Sequence, residues 1–177
     1  VTAVLAPPKG TSWCRVCAQP GAPHPRDVDL VVHVGRRFPC RVRPRALVLP
    51  QRLVDEMVGH ARRDHPVEAC GVLVGRGPAP ERCIPLVNAS GSTTAYEVDL
   101  FALLAMHSEI AWSGEEVRVV YHSHTATAAY PSRMDVEHAN QDGAVYVIVS
   151  TRDPEHAEVR AYRIVGGSVV EVPVQVR

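Results

Sequence analysis

The segment Val119-Val-Tyr-His-Ser-His124 ends in two histidines two residues apart, and Ser132-Arg-Met-Asp135 follows it. In an extended chain residues i and i+2 project from the same face, so His122 and His124 can converge on one ion. Asp135 falls in the first turn of a helix expected from Ser132 to Asn140. The Ala-, Thr- and Pro-containing stretch between can fold that turn back over the histidines. Two neutral nitrogens and one carboxylate leave a fourth position open, which is the arrangement of catalytic rather than structural zinc. Iron or manganese also suits two histidines and a carboxylate.

A water molecule activated in this way needs a base to take its proton and deliver it to a leaving amine. Glu68 is the candidate, because it precedes the apolar run Ala69 to Val74 and should sit at the mouth of a buried strand. Ser132 is the candidate hydrogen-bond donor to a tetrahedral oxyanion. Each residue alone also has an ordinary reading. A His-x-His pair arises by strand patterning. Ser132-x-x-Asp135 is a plausible helix N-terminus, with serine as cap and aspartate favoured by the dipole. Glu68 could pair with Arg62 or Arg63 at the surface.

The elements that must position these residues read as follows. Leu53, Val54, Met57, Val58 and Ala61 recur at helical spacing after Pro50, predicting a helix to about residue 64, stopped by Pro66. Ala69 to Val74 and Arg82 to Val87 read as strands, with a turn at Asn88 to Gly91. Asp99 caps a predicted helix with the face Leu100, Leu103, Leu104, His107 and Ala111, closed by Gly114. Val117 to Tyr121 and Gly143 to Ser150 are further strands. Val159 to Val165 and Ser168 to Val174 form a predicted hairpin at Gly166-Gly167. Helices and strands mix without a regular βαβ beat, so the expected fold class is α+β, or mixed α/β, with one central sheet.

Composition excludes several classes. Of the 177 residues 46% are apolar and 21% charged, and 19 basic residues balance 19 acidic ones, so the chain is neither disordered throughout nor an evident nucleic-acid binder. No apolar run is long enough for a membrane-spanning helix. The first ten residues lack a basic n-region and their apolar run is broken by Pro7 and Pro8, which predicts no secretory leader. Five cysteines in no framework spacing point to a reducing compartment, and a cytoplasmic location is expected. Residues 1–46 differ from the rest. They hold seven of the 15 prolines and an arginine excess, with one short strand at Val28 to Val34, and are expected to be a poorly ordered extension or a packing arm. Their Cys14-x-x-Cys17, with His24 or Cys40, is a weak signal for a zinc knuckle, and their arginines could bind an acidic partner. The main domain is expected over residues 47–177. Cys70 and Cys83 read as core thiols. His138 is left between a place beside the site and a solvated one.

Glu68, then His122-Ser-His124, then Ser132-x-x-Asp135 resembles the full motif of the JAMM (MPN-plus) metallopeptidases. The stretches ARRDHPVEACGVLVG, YHSHTATAAYPSRMD and VSTRDPEHAEVRAYRIV are similar to the branch that removes cysteine from a ubiquitin-like sulfur-carrier protein. The resemblance covers about residues 47–175. It implies a single curved mixed β-sheet flanked by helices, the JAMM/MPN (cytidine-deaminase-like) fold. It further implies one Zn2+ per chain held by His122, His124 and Asp135, with Glu68 as general acid/base and Ser132 as its helper.

The implied substrate is a carrier protein ending in Gly-Gly, joined through that glycine to cysteine. Such a tail is narrow and can dock as an added strand. The polar segment Ser90 to Val98 is either the edge that receives it or a plain loop. Ser92, Thr93 and Thr94, together with Tyr130, are the candidate substrate contacts. The chain leaves little room for insertions that would grip a large ubiquitin. Three functions stay open on the sequence: cysteine release, trimming of a carrier's extra C-terminal residues to expose Gly-Gly, and a scaffold without catalysis. A homodimer is an expected state, with no nucleic-acid or membrane partner.

Overall fold

The computed structural model describes residues 46–141 and 143–177, together with the backbone of two strands, β1 (Val28–Val32) and β2 (Arg41–Pro44). The chain divides into two units, Val1–Arg45 and Ala46–Arg177. In the first, β1 and β2 pair antiparallel with an irregularity between Val28 and Leu30. The C-x-x-C knuckle and the expected poor order of the N-terminal stretch lie outside the described residues.

The second unit is built on a six-stranded sheet. Its strands are β4 (Cys70–Gly75), β5 (Arg82–Leu86), β6 (Glu116–His124), β7 (Val145–Ser150), β8 (Glu158–Val165) and β9 (Ser168–Val172), in the order β5-β4-β6-β7-β8-β9. The pair β6/β7 is parallel and the others antiparallel, so the sheet is mixed. After β9 the chain leaves the sheet, and β10 (Val174–Val176) pairs parallel with β3 (Leu47–Leu49). That small ladder, which the sequence reading lacks, ties the end of the unit to its beginning.

One face of the sheet packs on α1 (Gln51–Asp64). Leu53, Met57 and Ala61 of this helix are fully buried against Leu73, Val119, Val147 and Val149, each large side chain contributing roughly 1.5–3 kcal/mol. A polar pin joins helix to sheet: His60 Nδ1 meets Tyr121 Oη at 2.8 Å, and His60 Nε2 meets Asp64 at 3.1 Å. Gly71 makes room for that tyrosine, since a Cβ there would stand 2.6 Å from Tyr121 Oη and from the Ile84 carbonyl.

The other face carries α2 (Leu100–Ser113) and the short α3 (Arg133–His138). Asp99 caps α2 by accepting from the Phe101 and Ala102 N–H groups, and Gly114, at φ 68°, closes it in the left-handed region. The expected buried face of α2 is corrected. Met106 and Ile110 are the residues it buries, against Val72 and Val74, with Leu103 half-buried against the same cluster, whereas Leu100, Leu104, His107 and Ala111 are exposed. The helix is apolar on nearly every side, so spacing alone did not single out the inward one. No helix among the described residues is long and apolar enough to cross a membrane.

Candidate metal centre

The site forms where β6 emerges from the sheet. Cys70 of β4 stands opposite His122 of β6, and the pairing continues outward through Ala69 and Ser123. Ser123 N–H donates to the Ala69 carbonyl at 2.8 Å, and Ala69 N–H donates to Ser123 Oγ at 2.8 Å. Two steps beyond Cys70 the same alternation sets Glu68 across from His124 on one face.

His122, His124 and Asp135 converge, their candidate ligand atoms all within 4.8 Å of one another. His122 Nε2 and His124 Nε2 are 3.1 Å apart. Asp135 Oδ1 is 3.3 Å from His122 Nε2, and Oδ2 is 3.4 Å from His124 Nε2. A tetrahedral ion with arms of about 2.0–2.1 Å spaces its ligand atoms by about 3.3–3.4 Å, close to the separation of each histidine nitrogen from one oxygen of Asp135. Both histidines are buried, and Asp135 is partly so.

Two of the three ligand candidates are oriented from behind, whereas the buried Nδ1 of His122 has no hydrogen-bond partner among the described residues. His124 Nδ1 donates to the Ala128 carbonyl at 3.0 Å and lies 3.1 Å from Thr127 Oγ1, which leaves the Nε2 lone pair for the site. Asp135 sits in a reciprocal cap. Its Oδ2 accepts the Ser132 N–H at 2.6 Å while Ser132 Oγ accepts the Asp135 N–H at 3.2 Å. The cap and the ligand are therefore one arrangement rather than rival readings of Ser-x-x-Asp. Burial alone would raise the Asp135 pKa, but hydrogen bonds from His122 and His124 outweigh it and hold the carboxyl well below the usual carboxylate range. His124 is held above its ordinary value because Asp135 and the Ala128 carbonyl overcome the effect of burial.

Glu68 is 5% exposed and makes no pair with Arg62 or Arg63. Burial raises its pKa to about 7, with His124 opposing and Asp135 adding to the rise. A carboxyl that can gain and lose a proton near neutrality is suited to general acid/base work. The thiol of Cys70 is pushed up by burial to about 12 and stays protonated. Among the described residues Cys70 and Cys83 are free thiols.

Two residues at this site escaped the sequence reading. Tyr96 lays its ring against His122, the centroids 5.1 Å apart with a 30° tilt, and burial pushes its phenol well above its ordinary value. Asn88 is buried and organises the segment that carries Tyr96. Its Nδ2 donates to the carbonyls of Glu68 at 2.9 Å and Ala95 at 3.0 Å, and its Oδ1 accepts from Glu97 N–H at 3.1 Å. Nothing local in the sequence marks Asn88 beyond its fitness for a turn, because its partners are distant in the chain.

Residues 89–99 form a loop and not a strand. Ser92 and Thr93 tie it to the site through backbone groups, with Glu68 N–H donating to the Ser92 carbonyl at 3.0 Å and Thr125 Oγ1 to the Thr93 carbonyl at 3.1 Å. Thr94 turns back on Ser92, its N–H donating to Ser92 Oγ at 3.2 Å. Tyr130, in the loop that follows β6, is 60% exposed and packs edge-on against Tyr162. His138 is exposed at the end of α3 and lines, with Cys70, Tyr96 and Met106, a cleft beside the centre.

Residues 50–165 match the family of prokaryotic homologs of the JAB domain. The chain is 53% identical over 132 residues to the CysO-cysteine peptidase of Mycobacterium tuberculosis, covering 73% of this chain and 90% of that protein. It is 35% identical over 147 residues to a probable TtuB-protein conjugate cleaving protease of Thermus thermophilus, covering 81% and 95%. The crystal structure of a JAB1/MPN domain protein from Archaeoglobus fulgidus superposes with a TM-score of 0.50 at 20% identity, covering 74% of this chain and 98% of that one, and so shares the fold. The chain belongs to the prokaryotic JAB-domain family and is a peptidase of the JAMM type.

Proposed function

We propose that this peptidase uses one zinc ion, held by His122, His124 and Asp135, to hydrolyse the amide after the C-terminal glycine of a ubiquitin-like sulfur-carrier protein, releasing cysteine. The observation that carries the reading is the convergence of these three donors, with the buried carboxyl of Glu68 beside them. The name of the mycobacterial relative supports the substrate. Zinc, when bound, supplies a Lewis acid and lowers the pKa of water. Glu68 takes the proton of the attacking water and gives it to the departing amine as the C–N bond breaks. The Ser132 hydroxyl donates to the oxygen on which negative charge develops. The loop 89–99, fixed by Asn88, guides the Gly-Gly tail past Tyr96. The free thiols Cys70 and Cys83 accord with a reducing, cytoplasmic setting.

A second reading keeps every residue in its role and changes the substrate. The name of the Thermus relative favours cleavage of carrier–protein conjugates. C-terminal trimming of a carrier would use the same centre. Incubating the protein separately with a carrier–cysteine adduct, a carrier–lysine isopeptide conjugate and a carrier extended beyond Gly-Gly, with products weighed by mass spectrometry, separates the three. Fastest release of free cysteine from the first substrate is expected. Faster turnover of either other substrate reassigns the task.

A further inference from the structure

A row of residues runs straight across three neighbouring strands. His124 of β6 stands opposite Ser150 of β7, and Ser150 stands opposite Glu158 of β8. Residues paired in this way project from the same face of a sheet, so the three side chains lie side by side against the loop 125–131. Each holds that loop by one main-chain group. Ser150 Oγ donates to the Thr127 carbonyl at 2.5 Å, His124 Nδ1 donates to the Ala128 carbonyl at 3.0 Å, and Glu158 Oε2 accepts the Ala129 N–H at 3.3 Å.

The Ala128 carbonyl and the Ala129 N–H are the two ends of one planar peptide group. His124 and Glu158 are therefore joined through a single amide. We propose that Glu158 is a positioning residue for the metal ligand His124, its carboxylate acting on the imidazole through the Ala128–Ala129 peptide. This rests on the reading of His124 as a zinc ligand and goes beyond it by naming what sets the donor strength of that ligand.

A carboxylate on an amide N–H polarises the amide, and the carbonyl oxygen at the other end becomes a stronger acceptor, by about 10–30% per bond in such a chain. A stronger acceptor at Nδ1–H holds the ring in one orientation and makes Nε2 a better electron donor to a metal. Here the peptide stands between the carboxylate and the histidine that elsewhere meet directly.

The carboxylate is kept charged. Arg160 Nε donates to Glu158 Oε1 at 2.7 Å, and Arg152 stands 3.7 Å from Oε2. The Ala129 N–H, ahead of either arginine, holds the Glu158 carboxyl below its ordinary value. The peptide is also locked in place. Ala129 is fully buried, the Tyr162 hydroxyl donates to its carbonyl at 2.5 Å, and the Ala128 carbonyl accepts the Tyr130 N–H at 2.8 Å as well. His122 has no such link, since its buried Nδ1 lacks a hydrogen-bond partner among the described residues. Glu158 thus acts on one of the two histidines only.

Two measurements on the full-length chain test the proposal: zinc affinity by competition with a chromogenic chelator, and the ring-nitrogen NMR signals of the zinc-loaded protein at one fixed pH. Glu158→Gln keeps an acceptor for the Ala129 N–H and removes the charge. It should lower zinc affinity, and Glu158→Ala should lower it further, by about 10–100-fold. In Glu158→Gln the His124 nitrogens should shift while those of His122 stay in place. Glu155→Gln removes an exposed charge from the connection between β7 and β8, and should change neither reading. Wild-type zinc affinity in Glu158→Gln overturns the proposal. So does a His124 signal that does not move, or an equal effect of Glu155→Gln. Should Glu158→Ala fail to fold, the glutamine variant decides alone. A wild-type chain that takes up no zinc sinks the metal reading and this proposal together, whereas a zinc-binding wild type with indifferent variants sinks this proposal alone.

Discussion

Asn88 donates from its buried side-chain amide to the main-chain carbonyl of Glu68, at 2.9 Å. The same side chain clamps the loop on both sides of Tyr96, through the Ala95 carbonyl and the Glu97 N–H. One residue thus fixes the proposed base and the ring that lies on His122. Asn88→Ala leaves buried groups without partners and should cost about 1–3 kcal/mol of stability. It should also lower kcat more than it raises KM, because Glu68 loses its position. A thermal melt combined with steady-state kinetics on the carrier–cysteine adduct checks both; a destabilised variant with unchanged kcat removes Asn88 from the site's geometry.

Ser132→Ala removes the acceptor that caps α3 and takes about 1 kcal/mol from that end of the chain. Asp135 then keeps its bond to the residue-132 N–H but loses the reciprocal one. Zinc affinity should fall about 10–100-fold, the usual cost of a lost orienting partner. Competition with a chromogenic chelator measures it. Affinity equal to wild type would show that the cap does not orient the aspartate.

Much of this centre was legible because its parts are local in sequence. His122 and His124 share a face through the two-residue repeat of a strand, and Ser132 and Asp135 share a helix turn through the capping box. Glu68 was legible as the residue before a buried strand. Tyr96 and Asn88 were not, since their roles depend on a loop returning over the end of β6 from a different part of the chain. The α2 helix misled for another reason. With apolar residues on nearly every side it has no distinct polar face, so periodicity could not choose between Leu100 and Met106 as the inward position. Likewise β10 and β3 are three-residue segments at opposite ends of the unit, too short to carry a pattern.

Glu68→Gln should keep the metal and lose turnover on the order of a hundredfold or more, the usual contribution of a general acid/base. Metal content by mass spectrometry, measured beside hydrolysis, separates the two effects. A glutamine variant with normal turnover would assign the proton transfer elsewhere.

The raised pKa of Glu68 has a consequence for stability. The folded value, about 7, lies above the ordinary 4.5 because burial disfavours the charged form. The folded state therefore holds this proton more tightly than the unfolded one. The stability it contributes is complete below pH 4.5 and is lost as pH rises through about 7. Chelated wild-type protein should melt at a lower temperature at pH 8 than at pH 6, and Glu68→Gln should reduce that difference. Calorimetry of both proteins at the two pH values decides it; an equal pH dependence in the two would place the linkage on other groups.

The central claim is that one divalent ion, gripped by His122, His124 and Asp135, is required for peptide hydrolysis. Its most direct measurement is a zinc titration of the chelated full-length protein, with cysteine release from a carrier–cysteine adduct followed at each addition. Hydrolysis should be absent at the start, rise linearly and level off at one equivalent of zinc per chain, and Asp135→Ala should stay inactive at that stoichiometry. Undiminished hydrolysis by the chelated protein, or full activity in Asp135→Ala, would contradict the account.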